Sequence, residues 1–216
     1  MPPTLAEAAF ALGFQDMPLP AVLALREAAA WRHLPGTDPA RFAGLLAVPE
    51  LDAFLATDAA RTPRLSMADG GRPGSASLPE DDYCRPDGRV DPLRLMARFD
   101  AGATLVASQF QDIHPPLARF CRGLEKGFLH AVQANAYLTP PGAQGFRVHY
   151  DTHDVLVLQV HGRKDWRVWP ELPVPAPTRR TPWHQGHAPA GESQALILQP
   201  GDALYLPRGT PHEAKG

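Results

Sequence analysis

Apolar positions in the first 130 residues recur with helical spacing. TLAEAAFALGF (4–14) and LPAVLALREAAAW (19–31) set Leu, Ala, Val and Phe three and four residues apart among good helix formers, and both predict helices. Asp38-Pro39 before ARFAGLL and Asp91-Pro92 before LRLMARF read as helix starts, with the aspartate as N-cap and the proline in the first turn, where no amide is needed. Pro49 plays the same part for ELDAFLAT. PPLARFCRGLEKGF (115–128) is amphipathic, with Leu117, Phe120 and Leu124 on one side and Cys121 as a core residue of the helix face. RLSMADG and ATLVASQF are strand candidates. The segment 70–92, GGRPGSASLPEDDYCRPDGRVDP, is rich in Gly, Pro, Ser and Asp and reads as an exposed loop.

From residue 131 the period shortens. VQANAYLTP, RVHYD, DVLVLQV, DWRVWP, QALILQP and DALYLPR are short runs rich in Val, Leu, Tyr and Trp, separated by PPGAQG, HGRK and PGD turns. Strands at this spacing predict a sandwich or barrel, of which a jelly roll is one form. TPWHQGHAPAGES (181–193) reads as a loop, and its His184 and His187 as solvated residues without a metal.

Charge narrows the function classes. With 21 basic and 23 acidic residues in 216, the net charge of −2 gives no bulk attraction to nucleic acid, so direct nucleic-acid binding is not expected. No apolar run approaches the roughly 20 residues of a membrane-spanning helix, and the N-terminus lacks the pattern of a signal peptide. The two cysteines, Cys84 and Cys121, make no framework and fit a reducing, cytoplasmic setting.

The chemistry concentrates in RVHYDTHDVLVLQVHGRKDWRVW (147–169) and LQPGDALYLPRGTPHEA (198–214). In a strand, His149 and Asp151 point to one face and Tyr150 to the other. His212, on a strand folding back beside RVHYD, would complete two imidazoles and one carboxylate. That set caps one face of a metal ion and leaves the other open, as in the facial triad of non-haem Fe(II) oxygenases; Mn, Co and Ni fit similar sites.

These segments, with NAYLTPPGAQGF ahead of them, resemble the cupin-like JmjC oxygenases of the ribosomal oxygenase group, closely over about residues 131–214. The resemblance implies a fold that is mainly β with α, a double-stranded β-helix (cupin or jelly-roll) core preceded by a mostly helical N-terminal region. Residues 1–100 would be that region and 101–216 the JmjC core. It implies His149, Asp151 and His212 as Fe(II) ligands. Lys164 would pair with the far carboxylate of the co-substrate 2-oxoglutarate, and Asn135 and Tyr137 would line its pocket. It further implies hydroxylation of an arginine or histidine side chain of a ribosomal protein, with O2 as oxidant. A homodimer is allowed, although the family's dimerisation region is not among these residues.

Several neighbours have blander readings. Arg163 rivals Lys164, but alternation points it to the other face. His153 and Asp154 either orient a ligand or make a structural hydrogen bond at the start of the next strand. His114, His130 and His161 take no role, and Trp166 and Trp169 pack on the barrel. Three other functions use the same residues: a hydroxylase of a small molecule or modified peptide, a non-catalytic binding module, and a cupin that uses another divalent metal as an isomerase or as a dioxygenase without 2-oxoglutarate. A dead site need not keep His149, Asp151, His212 and Lys164 together, which argues against the second.

Overall fold

A computed structural model describes residues 2–15, 17–73, 76–178, 180–181, 189 and 191–216; His184 and His187 lie outside them. The helices are α1 (Leu5–Phe14), α2 (Leu19–Glu27), α3 (Val48–Leu55), α4 (Pro92–Asp100) and α5 (Pro115–Phe128). The strands are β1 (Arg32–Leu34), β2 (Leu65–Ala68), β3 (Thr104–Ala107), β4 (Ala136–Leu138), β5 (Val155–Leu158), β6 (Lys164–Val168), β7 (Gln194–Leu198), β8 (Ala203–Leu206) and β9 (His212–Lys215). They form three three-stranded antiparallel sheets in the orders β1-β8-β5, β2-β3-β4 and β7-β6-β9.

Strand β8 shows why the runs after residue 131 are so apolar. Ala203 and Tyr205 face the larger core with the helices, while Leu204 and Leu206 face a second cluster with Trp166, Val168 and Leu198. β5 divides in the same way, Leu156 and Leu158 against the first core and Val155 and Val157 against the second. A strand covered on both faces has no polar alternation to show.

The helices dock on this sheet through aromatic rings. Phe10, Phe14 and Phe128 stack around one another, and Phe14 meets Tyr205 of β8 edge-on at 5.8 Å. The sequence places Gly123 and Gly127 one turn apart on α5, and α1 uses both gaps. A Cβ at Gly123 would lie 2.4 Å from the Ala9 Cβ and 2.5 Å from the Leu5 carbonyl oxygen. Thr4 caps α1 through a reciprocal pair of hydrogen bonds with Glu7.

The described residues are mixed α/β, with all five described helices in residues 1–130. The structure corrects four expectations. ARFAGLL makes no α-helix: Asp38, Ala40 and Phe42 accept from residues three ahead, and Arg41 is drawn across to the carbonyls of Leu12 and Gly201, leaving successive turns. The helix through LPAVLALREAAAW stops at Glu27, since Ala29 adopts a left-handed φ of 49°, and the chain then adds β1 to β8. Segment 70–92 is not simply an exposed loop, because Ala76, Leu78, Tyr83, Cys84 and Val90 are buried. RVHYD is not a ladder strand; His149 alone makes a bridge, to His212, although burial still alternates, with Val148 and Tyr150 inside.

Gly123→Ala should destabilise the protein by about 1–3 kcal/mol, because the clash is with backbone and cannot be relieved by a rotamer change. Urea unfolding tests this; an unchanged midpoint would contradict the close α1–α5 packing.

Candidate metal centre

The site begins with a backbone pair. The His149 N–H donates to the His212 carbonyl at 3.1 Å, and the His212 N–H donates to the His149 carbonyl at 2.8 Å. In an antiparallel sheet such a pair sets two side chains on one face. The two imidazole centroids lie 4.5 Å apart. Asp151, two residues after His149, brings a carboxylate oxygen to 3.7 Å from His212 Nε2. One donor atom from each of the three lies within 4.8 Å of the others. Two atoms each about 2.1 Å from a common ion at right angles are about 3 Å apart, so a small closure would seat a cation.

Both histidines are turned for this task by the same local device. The Nδ1 of His149 lies 2.7 Å from the carbonyl of Arg147, and the Nδ1 of His212 lies 2.9 Å from the carbonyl of Thr210. A carbonyl only accepts, so each Nδ1 donates to it and each Nε2 is the nitrogen left to face a metal. Burial first, and then the neighbouring His149, hold the His212 pKa well below its ordinary value. Its ring is therefore neutral at pH 7, the form that binds a metal. His212 is buried, whereas His149 and Asp151 are partly open, which leaves the approach on their side.

The turn before His212 is built from its sequence. Thr210 N–H donates to Pro207, Gly209 takes a φ of +88°, and its N–H donates to the Asp151 carbonyl. Trp169 N–H holds the Pro211 carbonyl from β6's far end, so turn and ligand loop share one set of backbone bonds.

Lys164 opens β6 on the face that also carries Trp166 and Val168. Val168 is the register partner of His212, and the Trp166 ring lies 5.8 Å from the His212 ring. Lys164 has no carboxylate partner among the described residues, and burial alone lowers its pKa from 10.5 to about 8. Arg163 is exposed and tied to Asp165 at 2.9 Å. Asn135 accepts from the Gln109 N–H and from Gln133 Nε2. Tyr137 is half-exposed, yet its phenol is raised above its usual range, by desolvation first; the Asn135 hydrogen bond opposes this and Asp151 adds to it. These contacts link Tyr137 to the triad, and none of them reaches Lys164.

Two side chains and two carbonyls beside the triad were not marked as functional by the sequence. Phe146 stands between Tyr137 and His149, with ring centroids 6.3 and 5.9 Å away. Trp166 lies against His212 with its indole N–H buried and unpartnered among the described residues. The carbonyls of Arg147 and Thr210 could have been suspected only from their position two residues before each histidine. His153 is exposed, and Asp154 bonds to the Arg208 N–H and Arg26, not to a ligand. Two surface clefts, about 280 and 380 Å³, lie beside Asp82 and Arg98 and contain no triad residue. Donor chemistry, not cleft size, locates the site.

Residues 106–216 match the family described as JmjC domain. The chain is 36% identical over 135 residues to a protein of Drosophila persimilis named bifunctional lysine-specific demethylase and histidyl-hydroxylase NO66, covering 60% of this chain and 19% of that one. It is 38% identical over 131 residues to rat ribosomal oxygenase 2, covering 60% of this chain and 28% of that one. The chain thus spans less than a third of either relative. In structure it is similar to Escherichia coli YcfD, a ribosomal oxygenase solved in complex with cobalt and 2-oxoglutarate. The TM-score is 0.52 at 19% identity, over 93% of this chain and 48% of that one. This likeness is one of fold.

Co(II) titrated into the protein should give a d–d spectrum that His212→Ala and Asp151→Ala weaken at least about 100-fold in affinity, direct ligands costing no less than the partners that orient them. His130→Ala, at an exposed position, serves as the control. Native-like Co(II) binding by both ligand variants would place the metal elsewhere.

Proposed function

This chain belongs to the JmjC-domain family, and on that premise we propose that it is an Fe(II)- and 2-oxoglutarate-dependent oxygenase that hydroxylates a protein side chain, with a ribosomal protein as the target class. The observation that carries the reading is the presence of two features on one face of the β7-β6-β9 sheet, His212 of the triad opposite Val168 and Lys164 four residues before Val168 on the same face of β6. One is a triad of two histidines and a carboxylate. The other is Lys164, a half-buried cation without a counter-ion among the described residues. The names of the relatives and the cobalt and 2-oxoglutarate bound by YcfD support it.

The residues divide the work by their chemistry. His149, Asp151 and His212 would hold Fe(II) through two neutral imidazoles and one carboxylate, leaving the remaining positions to co-substrate and O2. Lys164 would take the far carboxylate of 2-oxoglutarate. A half-buried cation without a partner loses part of its hydration, and a bound anion offsets that loss. Tyr137 and Asn135 would line the same pocket, Tyr137 donating through its phenol. The bound iron, with 2-oxoglutarate and O2, supplies the oxidation: one oxygen atom goes to a C–H bond of the target, the other to succinate, with release of CO2. The fold that carries this is, in the same proposal, a double-stranded β-helix. Residues 101–216 contain every candidate ligand and residues 1–100 brace them. Buried Cys84 and Cys121, both free thiols, fit a cytoplasmic location. No single described helix is long and apolar enough to cross a membrane.

The reading is tested by incubating the protein with Fe(II), 2-oxoglutarate, O2 and a mixture of ribosomal proteins. Mass spectrometry should show one added oxygen on a side chain, absent with Asp151→Ala. Stoichiometric metal loading with neither succinate formation nor any oxygenated product would contradict it.

Lys164 gives the pH dependence its sign. Its folded pKa of about 8 lies below 10.5, so the cation is present below pH 8 and lost above. Affinity of the Co(II)-loaded protein for 2-oxoglutarate should be flat below about pH 8 and then fall up to about tenfold per unit. In the free protein, stability should rise with pH from about 8 to 10.5, because the unfolded chain alone holds the proton there. Lys164→Ala should weaken 2-oxoglutarate at least about tenfold. Calorimetric titration at pH 7 and 9.5 checks both; equal affinities in all samples would contradict the role of Lys164.

A further inference from the structure

Asp154 stands apart from the triad and makes no contact with a candidate ligand, yet it joins three elements. Its Oδ1 accepts the Arg208 N–H at 2.9 Å, and its Oδ2 lies 3.2 Å from Nε of Arg26, in the last turn of α2. The hydroxyl of Tyr205, on β8, is buried beside the same carboxylate without making a hydrogen bond of ordinary geometry. Arg208 belongs to the Pro207–Thr210 turn. Two successive amides of that turn are held from the loop after His149: Gly209 by the Asp151 carbonyl at 2.8 Å and Arg208 by the Asp154 side chain. The turn then presents the Thr210 carbonyl that accepts from His212 Nδ1 at 2.9 Å.

We propose that Asp154 is a positioning residue for the metal centre, holding the Pro207–Thr210 turn so that the Thr210 carbonyl orients the His212 ring. This rests on the reading of the triad as a metal site. A carbonyl that sets ring orientation and tautomer acts on metal affinity from one bond away, and partners at that remove are worth about 10–100-fold. The side chain matters here because no backbone group among the described contacts takes the Arg208 N–H in its place. The ion pair to Arg26 is partly exposed, with side-chain exposures of 39% and 26%, and so contributes little by itself. Its place in the arrangement is to keep the carboxylate turned toward the turn.

The role separates from simple fold stabilisation by comparing Co(II) affinity and spectrum with Tm in three variants. Asp154→Ala removes the grip on the turn and should weaken Co(II) about 10–100-fold with a changed d–d spectrum. Asp154→Asn keeps an oxygen for Arg208, and Arg26→Gln removes only the ion pair. Both should keep the native spectrum and an affinity within about threefold, whatever their Tm. Asp154→Ala with lowered Tm but native Co(II) binding would overturn the proposal, leaving a structural role. If Asp154→Ala does not fold, Asp154→Asn decides. Native Co(II) binding then supports the grip on the turn, and a tenfold loss overturns it in favour of the charge. Failure of the native protein itself to bind Co(II) would instead overturn the reading of the triad, and this proposal with it.

Discussion

The centre depends on one reciprocal pair of backbone hydrogen bonds, His149 to His212 and back. Ligands drawn from distant parts of a chain need their main chains locked before their side chains can converge. A hydrogen-bonded antiparallel pair does this at a Cα separation of about 5.5 Å with both side chains on one face. Asp151 follows from the same geometry, because the residue two further along an extended chain returns to that face. The pair is isolated, with no ladder continuing on the RVHYD side. It is held instead by what surrounds it: β9 on β6, the Trp169–Pro211 and Gly209–Asp151 bonds, and the buried Val148 and Tyr150.

Electrostatics set the triad and Lys164 apart. At the triad, burial and mutual proximity keep His212 neutral, and main-chain carbonyls fix which nitrogen of each histidine faces inward. At Lys164, burial works against a charge that no described side chain balances. Two imidazoles beside a carboxylate suit a cation, and a half-buried lysine without a partner among the described residues suits an anion. In the proposed function these are the iron and the far end of the co-substrate, with the target side chain approaching over the more open His149 and Asp151.

Much of this was legible in the sequence because it rests on local patterns. The runs DVLVLQV and DALYLPR announce strands, and the HxD spacing announces two groups on one side. The histidine after PGDALYLPRGTP is placed by a turn whose glycine and prolines can be read directly. What was hidden depends on tertiary context. ARFAGLL has helical composition, but Arg41 bonds to Leu12 and Gly201 instead, and the chain there runs too close to the Gly201 turn for a helix. AAAW (28–31) has helical composition, but Ala29 takes a left-handed φ and the chain goes on to pair β1 with the edge of β8. Segment 70–92 has loop composition yet sends Tyr83 and Leu78 into the core. Phe146, Trp166 and the two carbonyls that orient the histidines have no signature, because their work is set by neighbours far away in sequence.

The central claim is that the triad and Lys164 together hold Fe(II) and 2-oxoglutarate in one site. Anaerobic addition of Fe(II) and then 2-oxoglutarate to the purified protein tests this without knowledge of the target. A visible metal-to-ligand charge-transfer band should appear, absent in Asp151→Ala and weakened in Lys164→Ala. A folded, iron-loaded protein that develops no band on addition of 2-oxoglutarate would contradict it.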